Sequence, residues 1–522
     1  MVPPHAATAY LLHYLVHMPH AAAPDETRLP TAGLPGRRLR GGGRGARGFD
    51  RLRGHRVAAR WRYRLAPDPL QRKPKGVLPF WTRMRRLFWS WWPWAAACLW
   101  NLVHDKWGWA FGMGMMALAC WLIAPVEAAP QYGLDHEFAI DDDEFLPTMA
   151  GATGVSFLPG NQLTILNNGD EFYPAMLAAI AAAELSITVE AYIYWAGDIG
   201  RQFAEALAAR ARAGLRVKIL LDSVGSSTIG EDILKILEDG KCQLAWYNPF
   251  SWRRMHRYNH RTHRKSLIID GRVAFTGGAG IADHWRGQAR NPDEWRDLQI
   301  RIEGPAVMPL QTGFAQNWLQ TTGELISGAL YYPLPEASGP LALQTLMSSP
   351  EAGASTVRIM YYLSIICARR SILIANPYFV PDAAARDALI EAKRRGVDVR
   401  VMVAARYNDN WLAYHNSVRV YGRLLEAGIE ILEFNRTMLH LKTMVVDGKW
   451  FTIGTTNFDN RSFAHNEENN TCGYDVQLAR QLHDMFNHDM AGAERLDLET
   501  WKRRGLWQKA QEVVAAFFEE QI

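Results

Sequence analysis

Cysteine is scarce in this chain, which has five cysteines among 522 residues and no CxxC pair. An odd and scattered set predicts neither a disulfide framework nor a structural zinc site, so we expect isolated buried thiols. The sequence also lacks a GxxxxGK[ST] loop and a Rossmann glycine fingerprint. These absences argue against the common phosphate-loop and dinucleotide-binding sites.

Excess charge is also small, because 58 basic and 53 acidic residues leave a formal net charge of +5. A protein that coats nucleic acid usually carries a much denser basic charge. Hydrophobic residues make up 48% of the chain, which is enough for a large core. The length predicts two to four structural units.

The N-terminal residues 1–80 are rich in Arg, Gly, Pro and Ala and have no sustained apolar period. Such a composition buries too little surface to offset the entropy lost on ordering, so we expect a disordered leader. Alternatively, this stretch is not part of the working protein, and Met84 is the natural start.

Two uncharged runs follow, at residues 87–103 and 107–126. The second has the length that a helix needs to cross a bilayer. The first is shorter and contains Pro93, but its tryptophans suit a membrane interface. The segment 87–126 therefore predicts a membrane anchor of one or two transmembrane helices, with buried helices of a soluble domain as the alternative.

The sequence leaves open which side of the membrane the rest of the chain occupies. Arg83, Arg85 and Arg86 precede the first run, which places the N-terminal side in the cytoplasm. Two spans would return the rest of the chain to the cytoplasm, whereas one span would place it outside. The stretch 127–200 contains no Lys or Arg and leaves both topologies open.

From about residue 160 the chain alternates strand and helix patterns, and it does so twice. The apolar runs 187–194 and 215–223 predict strands separated by an Ala-rich helix, and the runs 372–380 and 397–404 repeat this arrangement. Such alternation predicts an α/β sheet in each half.

Each half contains one copy of the motif His-x-Lys-x4-Asp. The two copies are His263, Lys265 and Asp270, and His440, Lys442 and Asp447. Residues two apart on a strand face the same side, so His and Lys should project together. An imidazole beside an ammonium suits attack on a phosphodiester, since the imidazole forms a covalent bond and the ammonium stabilises the oxygens. One copy would more often be structural. Two copies, each fourteen residues before a glycine (Gly277 and Gly454), indicate function.

Over roughly residues 155–520 the chain resembles the phospholipase D superfamily and, within it, bacterial cardiolipin synthases. The resemblance is carried by the two motifs and by four further segments: Thr276-Gly277-Gly278, Trp295-Arg296-Asp297, Gly454 to Ser462, and Asn466-Glu467-Glu468. It implies an α/β fold of two tandem phospholipase D-type repeats, residues 155–335 and 340–520, packed around a pseudo-twofold axis with one shared active site.

The resemblance also implies a mechanism. One histidine attacks phosphorus and forms a phosphohistidine, while the other transfers protons to the leaving alcohol and from the incoming one. Lys265, Lys442 and Asn457 would hold the phosphoryl oxygens. His263 is favoured as the nucleophile and His440 as the acid/base, although the symmetric chemistry leaves this assignment open.

Acidic side chains are expected to orient the two histidines. By position in the pattern, Asp297 is the candidate in the first half and Glu468 in the second, with solvated surface charges as the alternative. Asp270 and Asp447 are expected to brace the turn rather than to touch substrate. The family usually has Asn three residues after the glycine, as at Asn457.

Two positions depart from a simple symmetric pattern. The first half has Gly280 where the second has Asn457, so one phosphate-side hydrogen bond is missing or comes from another residue. Glu190 lies in an otherwise apolar strand, which predicts either a polar role in the site or a surface position on an edge strand.

The leading functional hypothesis is transfer of a phosphatidyl group between two phosphatidylglycerol molecules with release of glycerol. The alternative is hydrolysis of phospholipids to phosphatidic acid. A nuclease is disfavoured by the apolar segment and modest charge, and a non-catalytic scaffold by the two complete motifs. No metal or other cofactor is expected, because ammonium groups oppose a bound cation. The phospholipid substrate predicts the bacterial inner membrane, with the catalytic region on its cytoplasmic face, and leaves the oligomeric state open.

Overall fold

A computed structural model describes residues 90–104, 106–122, 134–252, 257–350 and 356–519 of the chain. The predicted leader, residues 1–80, lies outside the described residues, as do Met84 and the three arginines that precede the first apolar run. All the described residues belong to one unit, Tyr63–Ile522.

Two apolar helices occupy the predicted anchor segment. They are α1 (Trp91–Val103) and α2 (Trp107–Leu122), and neither contains a charged residue. The turn between them includes a hydrogen bond from the Lys106 N–H to the Asn101 carbonyl oxygen, at 2.8 Å. The helices have 13 and 16 residues, and within the described ranges no helix is both long and apolar enough to cross a membrane. Residues 123–126 of the second predicted run are outside those ranges.

The first half of the remaining chain alternates strands and helices, as the sequence predicts. Its strands are β1 (Leu158–Asn167), β2 (Ser186–Ala191), β3 (Arg216–Asp222), β4 (Gln243–Tyr247), β5 (Arg261–Thr262), β6 (Ser266–Ile269), β7 (Val273–Gly277) and β8 (Leu298–Glu303). Its helices are α3 (Phe145–Thr153), α4 (Gly169–Ala182), α5 (Asp198–Arg212), α6 (Glu231–Asp239) and α7 (Val307–Thr322).

The second half repeats this order. Its strands are β9 (Leu341–Ser348), β10 (Ser371–Ala375), β11 (Asp398–Ala404), β12 (Glu430–Phe434), β13 (Thr443–Val446), β14 (Trp450–Gly454), β15 (Asn466–Tyr474) and β16 (Ala493–Leu496). Its helices are α8 (Thr356–Ile366), α9 (Ala383–Arg394), α10 (Trp411–Glu426), α11 (Asn460–Ala464), α12 (Val476–Met490), α13 (Leu498–Lys502) and α14 (Leu506–Ala516).

The sixteen strands of the described residues form one mixed sheet. Its order is β16-β12-β11-β10-β13-β14-β15-β9-β1-β8-β7-β6-β2-β3-β4, and β5 pairs separately with β15. From the central pair β9–β1 the same sequence of strands follows toward both edges, apart from the added β16. In each half three strands are parallel, β2–β3–β4 and β10–β11–β12, because a helix connects each strand to the next.

Three hydrophobic clusters hold these layers together, and alternate residues of a strand contribute to different clusters. On β3, Ile219 packs in a cluster of the first half, while Leu220 packs in a cluster that both halves share. On β10, Ile372 packs in a cluster of the second half and Leu373 in the shared one. Helices α7 and α12 also contribute to the shared cluster, so the two halves are joined by buried apolar contact as well as by strand pairing.

Candidate active site

Both His-x-Lys pairs lie in extended segments immediately before a strand. We expected them on the strands themselves, but β6 begins at Ser266 and β13 at Thr443. The reason is that their backbone hydrogen bonds go to the other half of the chain. The His263 N–H donates to the Glu467 carbonyl oxygen at 2.9 Å, and the His440 N–H donates to the Arg296 carbonyl oxygen at 2.8 Å.

Each histidine ring contacts a carboxylate that comes from the other half. Nδ1 of His263 lies 3.0 Å from both carboxylate oxygens of Glu468, and Nδ1 of His440 lies 2.7 Å from Oδ2 of Asp297. The sequence identified both acids but grouped each with its own half. The contacts are crossed, and all four side chains are buried, so neither acid is a solvated surface charge.

The register of the sheet shows that the two acids occupy equivalent positions. Gln299 of β8 pairs with Gly277, and Asn470 of β15 pairs with Gly454. Asp297 and Glu468 each precede these partners by two residues. Each of these two equivalent carboxylates therefore contacts the histidine of the opposite half.

Further hydrogen bonds fix both carboxylates. Asp297 accepts from the indole N–H of Trp285 at 3.0 Å and from the backbone N–H of Leu298 at 2.9 Å. Glu468 accepts from the hydroxyl of Thr455 at 2.5 Å and from the amide of Asn466 at 3.3 Å. No role for Trp285 was predicted from the sequence, and no local pattern around it indicates one.

Electrostatics differ between the two pairs. Burial opposes ionisation of Glu468, but His263, Lys265 and Thr455 together lower its pKa. Burial raises the pKa of Asp297 to about 6, although Lys442 and two hydrogen-bond donors act in the opposite direction. The carboxyl group of Asp297 therefore keeps its proton to higher pH than that of Glu468.

Both imidazoles are kept neutral by their surroundings. Burial is the main cause that lowers the pKa of His263 to about 4, with Glu468 opposing it. Burial and the ammonium of Lys442 lower the pKa of His440 well below its ordinary value. The ring of Tyr192 packs edge-on to His263 at 5.1 Å, and the rings of Trp285 and Trp295 lie 5.4 and 5.6 Å from His440. These aromatic rings, for which the sequence predicted no role, pack against the buried imidazoles.

The two lysines adopt the same conformation in both halves. Nζ of Lys265 donates to the His263 carbonyl oxygen at 2.9 Å, and Nζ of Lys442 donates to the His440 carbonyl oxygen at 2.6 Å. Burial lowers the pKa of Lys265 to about 7 and that of Lys442 to about 8, while nearby carboxylates oppose this shift. A bound phosphodiester would favour the charged form of both groups.

The aspartates of the motifs brace turns, as the sequence analysis expected. Asp270 accepts three backbone N–H bonds, from residues 184, 185 and 186, at 2.7 to 2.9 Å. Asp447 accepts the equivalent bonds from residues 369, 370 and 371, also at 2.7 to 2.9 Å. Both residues have a φ of 53°, in the left-handed region. Each carboxylate thus ties the end of the motif strand to the start of β2 or β10.

The asymmetry between Gly280 and Asn457 has a steric cause. A Cβ atom at Gly280 would lie 2.8 Å from Cβ of Ile193 and 3.0 Å from its carbonyl oxygen, so no side chain fits there. Asn457 is buried, and its Oδ1 has no hydrogen-bond partner in the structure. The second half therefore offers an amide that the first half cannot have.

Glu190 is buried in β2, which lies between β3 and β6, so the predicted edge-strand position is wrong. It lies inside the sheet because strands pair on both of its sides. Its Oε1 accepts from the hydroxyl of Thr262 at 2.5 Å and from the amide of Asn317 at 2.7 Å. Burial raises its pKa. Since Thr262 directly precedes His263, Glu190 supports the backbone of the first motif.

Cysteines take no part in this arrangement, and all five are free thiols. Within the part of the chain that the structure describes, no group of three or more His, Cys, Asp or Glu side chains is placed to hold a metal ion.

Comparison with known proteins agrees with this geometry. The family model described as "Cardiolipin synthase, PLD-like domain" matches residues 176–291 and 364–490, so each matched segment contains one of the two histidines. The cardiolipin synthase of Listeria innocua is 32% identical over 365 residues, which cover 69% of this chain and 76% of that protein. The major cardiolipin synthase of Bacillus subtilis is 30% identical over 388 residues, covering 74% of this chain and 80% of that one.

Among solved structures, the phosphatidylserine synthase of Haemophilus influenzae is similar in fold. Its TM-score is 0.55 at 15% sequence identity, and the match covers 72% of this chain and 97% of that one. This likeness supports the mixed α/β architecture alone. The family follows from the two sequence relatives, each at least 30% identical over more than two thirds of its length. The chain belongs to the cardiolipin synthase family of the phospholipase D superfamily, a family of phosphatidyltransferase enzymes.

Proposed function

We propose that this enzyme transfers a phosphatidyl group from one phosphatidylglycerol molecule to another and releases glycerol. The observation that carries this proposal is the reciprocal contact of His263 with Glu468 and of His440 with Asp297. Because each imidazole is held by the other half, the two tandem repeats form one shared site around a pseudo-twofold axis.

In the first step, Nε2 of His263 attacks the phosphorus of the donor lipid. Nδ1 faces Glu468, whose ionised carboxylate accepts a hydrogen bond from the Nδ1–H group, so the ring keeps its proton there and the Nε2 lone pair is free for attack. An N–P bond forms and the bond from phosphorus to the glycerol oxygen breaks. Nε2 of His440 delivers to that oxygen a proton that the His440–Asp297 pair holds, so neutral glycerol leaves and a phosphohistidine remains.

In the second step, a hydroxyl of the acceptor phosphatidylglycerol attacks the phosphohistidine. His440 takes the hydroxyl proton, the new O–P bond forms, and the N–P bond to His263 breaks. The product is cardiolipin, and both histidines return to their starting states.

The difference in charge between the two pairs supports this division of roles. The raised pKa of Asp297 keeps a proton available beside His440, whereas the lowered pKa of Glu468 keeps His263 free to attack. Lys265, Lys442 and Asn457 hold the phosphoryl oxygens as negative charge develops. Within the described residues, the buried Oδ1 of Asn457 accepts no hydrogen bond, and in this proposal the Nδ2 amide donates to a phosphoryl oxygen.

The helices α1 and α2 anchor the enzyme to the membrane that contains its substrate. Their large side chains Trp100, Trp107, Trp109 and Phe111 are each at least 65% exposed, and this apolar surface suits contact with lipid. Because α1 and α2 pack against each other as a hairpin, the chain returns to the side of the basic residues that precede the first apolar run, and we place the active site on the cytoplasmic face of the bacterial inner membrane.

The purified full chain in detergent, given phosphatidylglycerol and a chelator, tests the proposed reaction. We expect cardiolipin and glycerol in equal amounts. Phosphatidic acid without cardiolipin would instead identify a hydrolase and overturn the proposed transfer. Untouched lipid together with cleaved DNA would identify a nuclease and overturn the choice of substrate.

A further inference from the structure

Three aromatic side chains form an exposed cluster beside the first histidine motif. The rings of Phe250 and Trp252 lie 5.1 Å apart, and those of Phe250 and Tyr258 lie 5.6 Å apart. Phe250 is 55% exposed, Trp252 77% and Tyr258 43%. We call these three residues the aromatic cluster. Residues 253–256, between them in the chain, lie outside the described residues and are not part of it.

The aromatic cluster is attached to the active site on two sides. The ring of Tyr258 lies 5.0 Å from the guanidinium of Arg261, which is in β5, directly before the first motif. Asn259, which follows Tyr258 in the chain, accepts hydrogen bonds from Arg461 at 3.2 and 3.3 Å. Arg461 belongs to the second half and follows Asn457 by four residues. The cluster therefore lies at the boundary where the two halves meet.

Large aromatic rings exposed together are unusual on a protein surface and mark an interaction site. Trp and Tyr are the residues that favour the interface between hydrocarbon and lipid headgroups. Between Trp252 and Tyr258 the sequence also contains three arginines and no acidic residue, whereas Arg261 is buried and paired with Asp222. Apolar aromatic surface combined with basic charge is complementary to an anionic bilayer.

We propose that the aromatic cluster inserts into the surface of a bilayer containing anionic phospholipid and brings the active site to the headgroups. This contact is separate from the anchor formed by α1 and α2, and it rests on the proposed lipid substrate. It explains how a buried pair of histidines reaches a phosphodiester that stays in the membrane. The absence of acidic residues from segment 248–262 favours lipid over a second copy of the chain, whose matching surface would carry the same basic charge.

The test compares two forms of the donor with the full chain in proteoliposomes. One is long-chain phosphatidylglycerol in the same bilayer, and the other is short-chain phosphatidylglycerol dissolved as monomers. For the double variant Phe250→Ser/Trp252→Ser, we expect the ratio of bilayer to monomer kcat/KM to fall by about tenfold or more, since two aromatic anchors are lost. The matched control is Trp507→Ser, because Trp507 is 76% exposed in α14.

Three outcomes would overturn the inference. In the first, the ratio is unchanged in the double variant. In the second, Trp507→Ser lowers the ratio equally, so the loss is general. In the third, the double variant changes the sedimentation of the detergent-solubilised protein, which would identify the cluster as a contact between copies. Failure of the proposed function gives a different result, because the unmodified enzyme would then convert neither donor to cardiolipin.

Discussion

Nδ1 of His263 lies 3.0 Å from the carboxylate of Glu468, although 205 residues separate them in the chain. The equivalent pair, His440 and Asp297, is separated by 143 residues. Both contacts are buried, and both cross from one half of the enzyme to the other. Each imidazole therefore depends for its orientation on the folding and docking of the opposite half.

The first prediction concerns these two carboxylates. Glu468→Gln and Asp297→Asn keep the shape of each side chain but remove the charge that stabilises an imidazolium and selects the ring tautomer. We expect kcat to fall by roughly 10²- to 10⁴-fold in each variant, measured as cardiolipin formed per folded molecule. Glu303→Gln is the control, because Glu303 also belongs to β8 but makes a half-exposed ion pair with Arg301. An Asp297→Asn enzyme with normal kcat would contradict the proposed role.

The second prediction separates the roles of the two histidines. With a donor that carries p-nitrophenol as its leaving group, bond cleavage needs no proton from the enzyme. We expect His440→Ala to release one burst of nitrophenol and then to turn over at least about 100-fold more slowly than the unmodified enzyme. His263→Ala should show no burst. A burst in His263→Ala and none in His440→Ala would exchange the assigned roles, and His483→Ala, at an exposed position of α12, serves as the control.

The third prediction is a loss of activity at alkaline pH. Burial lowers the pKa of Lys265 to about 7 and that of Lys442 to about 8, so both ammoniums lose charge as the pH rises through these values. We expect kcat/KM to decrease over this interval, because it reports the free enzyme. The decrease in kcat should occur at higher pH, since bound phosphate favours the charged lysines. Lys449→Ala, at a partly buried lysine that pairs with Asp141 instead of facing the site, should leave the profile unchanged, and a flat profile would contradict the assignment.

The fourth prediction distinguishes the motif aspartates from the motif histidines. Asp270→Ala removes a carboxylate that accepts three backbone N–H bonds. We expect the free energy of unfolding to decrease by about 1–3 kcal/mol, because these donors lose a charged partner. Thermal unfolding measures this loss. Turnover per folded molecule should fall far less than in Glu468→Gln, and Asp447→Ala should behave in the same way. An inactive but fully stable Asp270→Ala would show that the residue acts in the chemistry.

The fifth prediction concerns Gly280. Gly280→Ala places a Cβ atom 2.8 Å from Cβ of Ile193, and both of these residues are buried. We expect a destabilisation of about 1–3 kcal/mol from this overpacking, seen as a lower melting temperature. Gly151→Ala, in helix α3 with no atom within 4 Å of the added methyl group, should be neutral or slightly stabilising. Equal melting temperatures for the two variants would refute the steric explanation.

The sequence predicted those features of the fold that local patterns encode. The apolar run 215–223 became β3 (Arg216–Asp222), and the run 397–404 became β11 (Asp398–Ala404). The run 187–194 was cut short, since β2 ends at Ala191 and Tyr194 makes only an isolated bridge with Ile281. Propensity does not determine where a neighbouring strand stops pairing, so the ends were less accurate than the centres.

The sequence predicted which residues form the site, but not which of them contact each other. Repeated spacing identified the histidines and the lysines, because a duplicated pattern is visible in one sequence, and the family pattern added both acids. Nothing local reveals that Glu468 faces His263 rather than His440, since this depends on how the two halves dock. The same holds for Trp285, which binds Asp297 through an indole N–H and has no counterpart in the repeated pattern. The sequence left Glu190 between a role in the site and an edge-strand position for a related reason, because strand order decides whether a charged residue lies at an edge.

The crossed contacts have a consequence for the origin of this enzyme. In the enzyme, each histidine contacts the carboxylate of the other repeat. A repeat on its own would therefore contain both a histidine and a carboxylate, but neither would contact the other. Two copies of an ancestral half-length protein would satisfy both histidines at once by associating as a symmetric dimer. Gene fusion would then preserve the chemistry, and it would also free the two halves to diverge, as Gly280 and Asn457 have done.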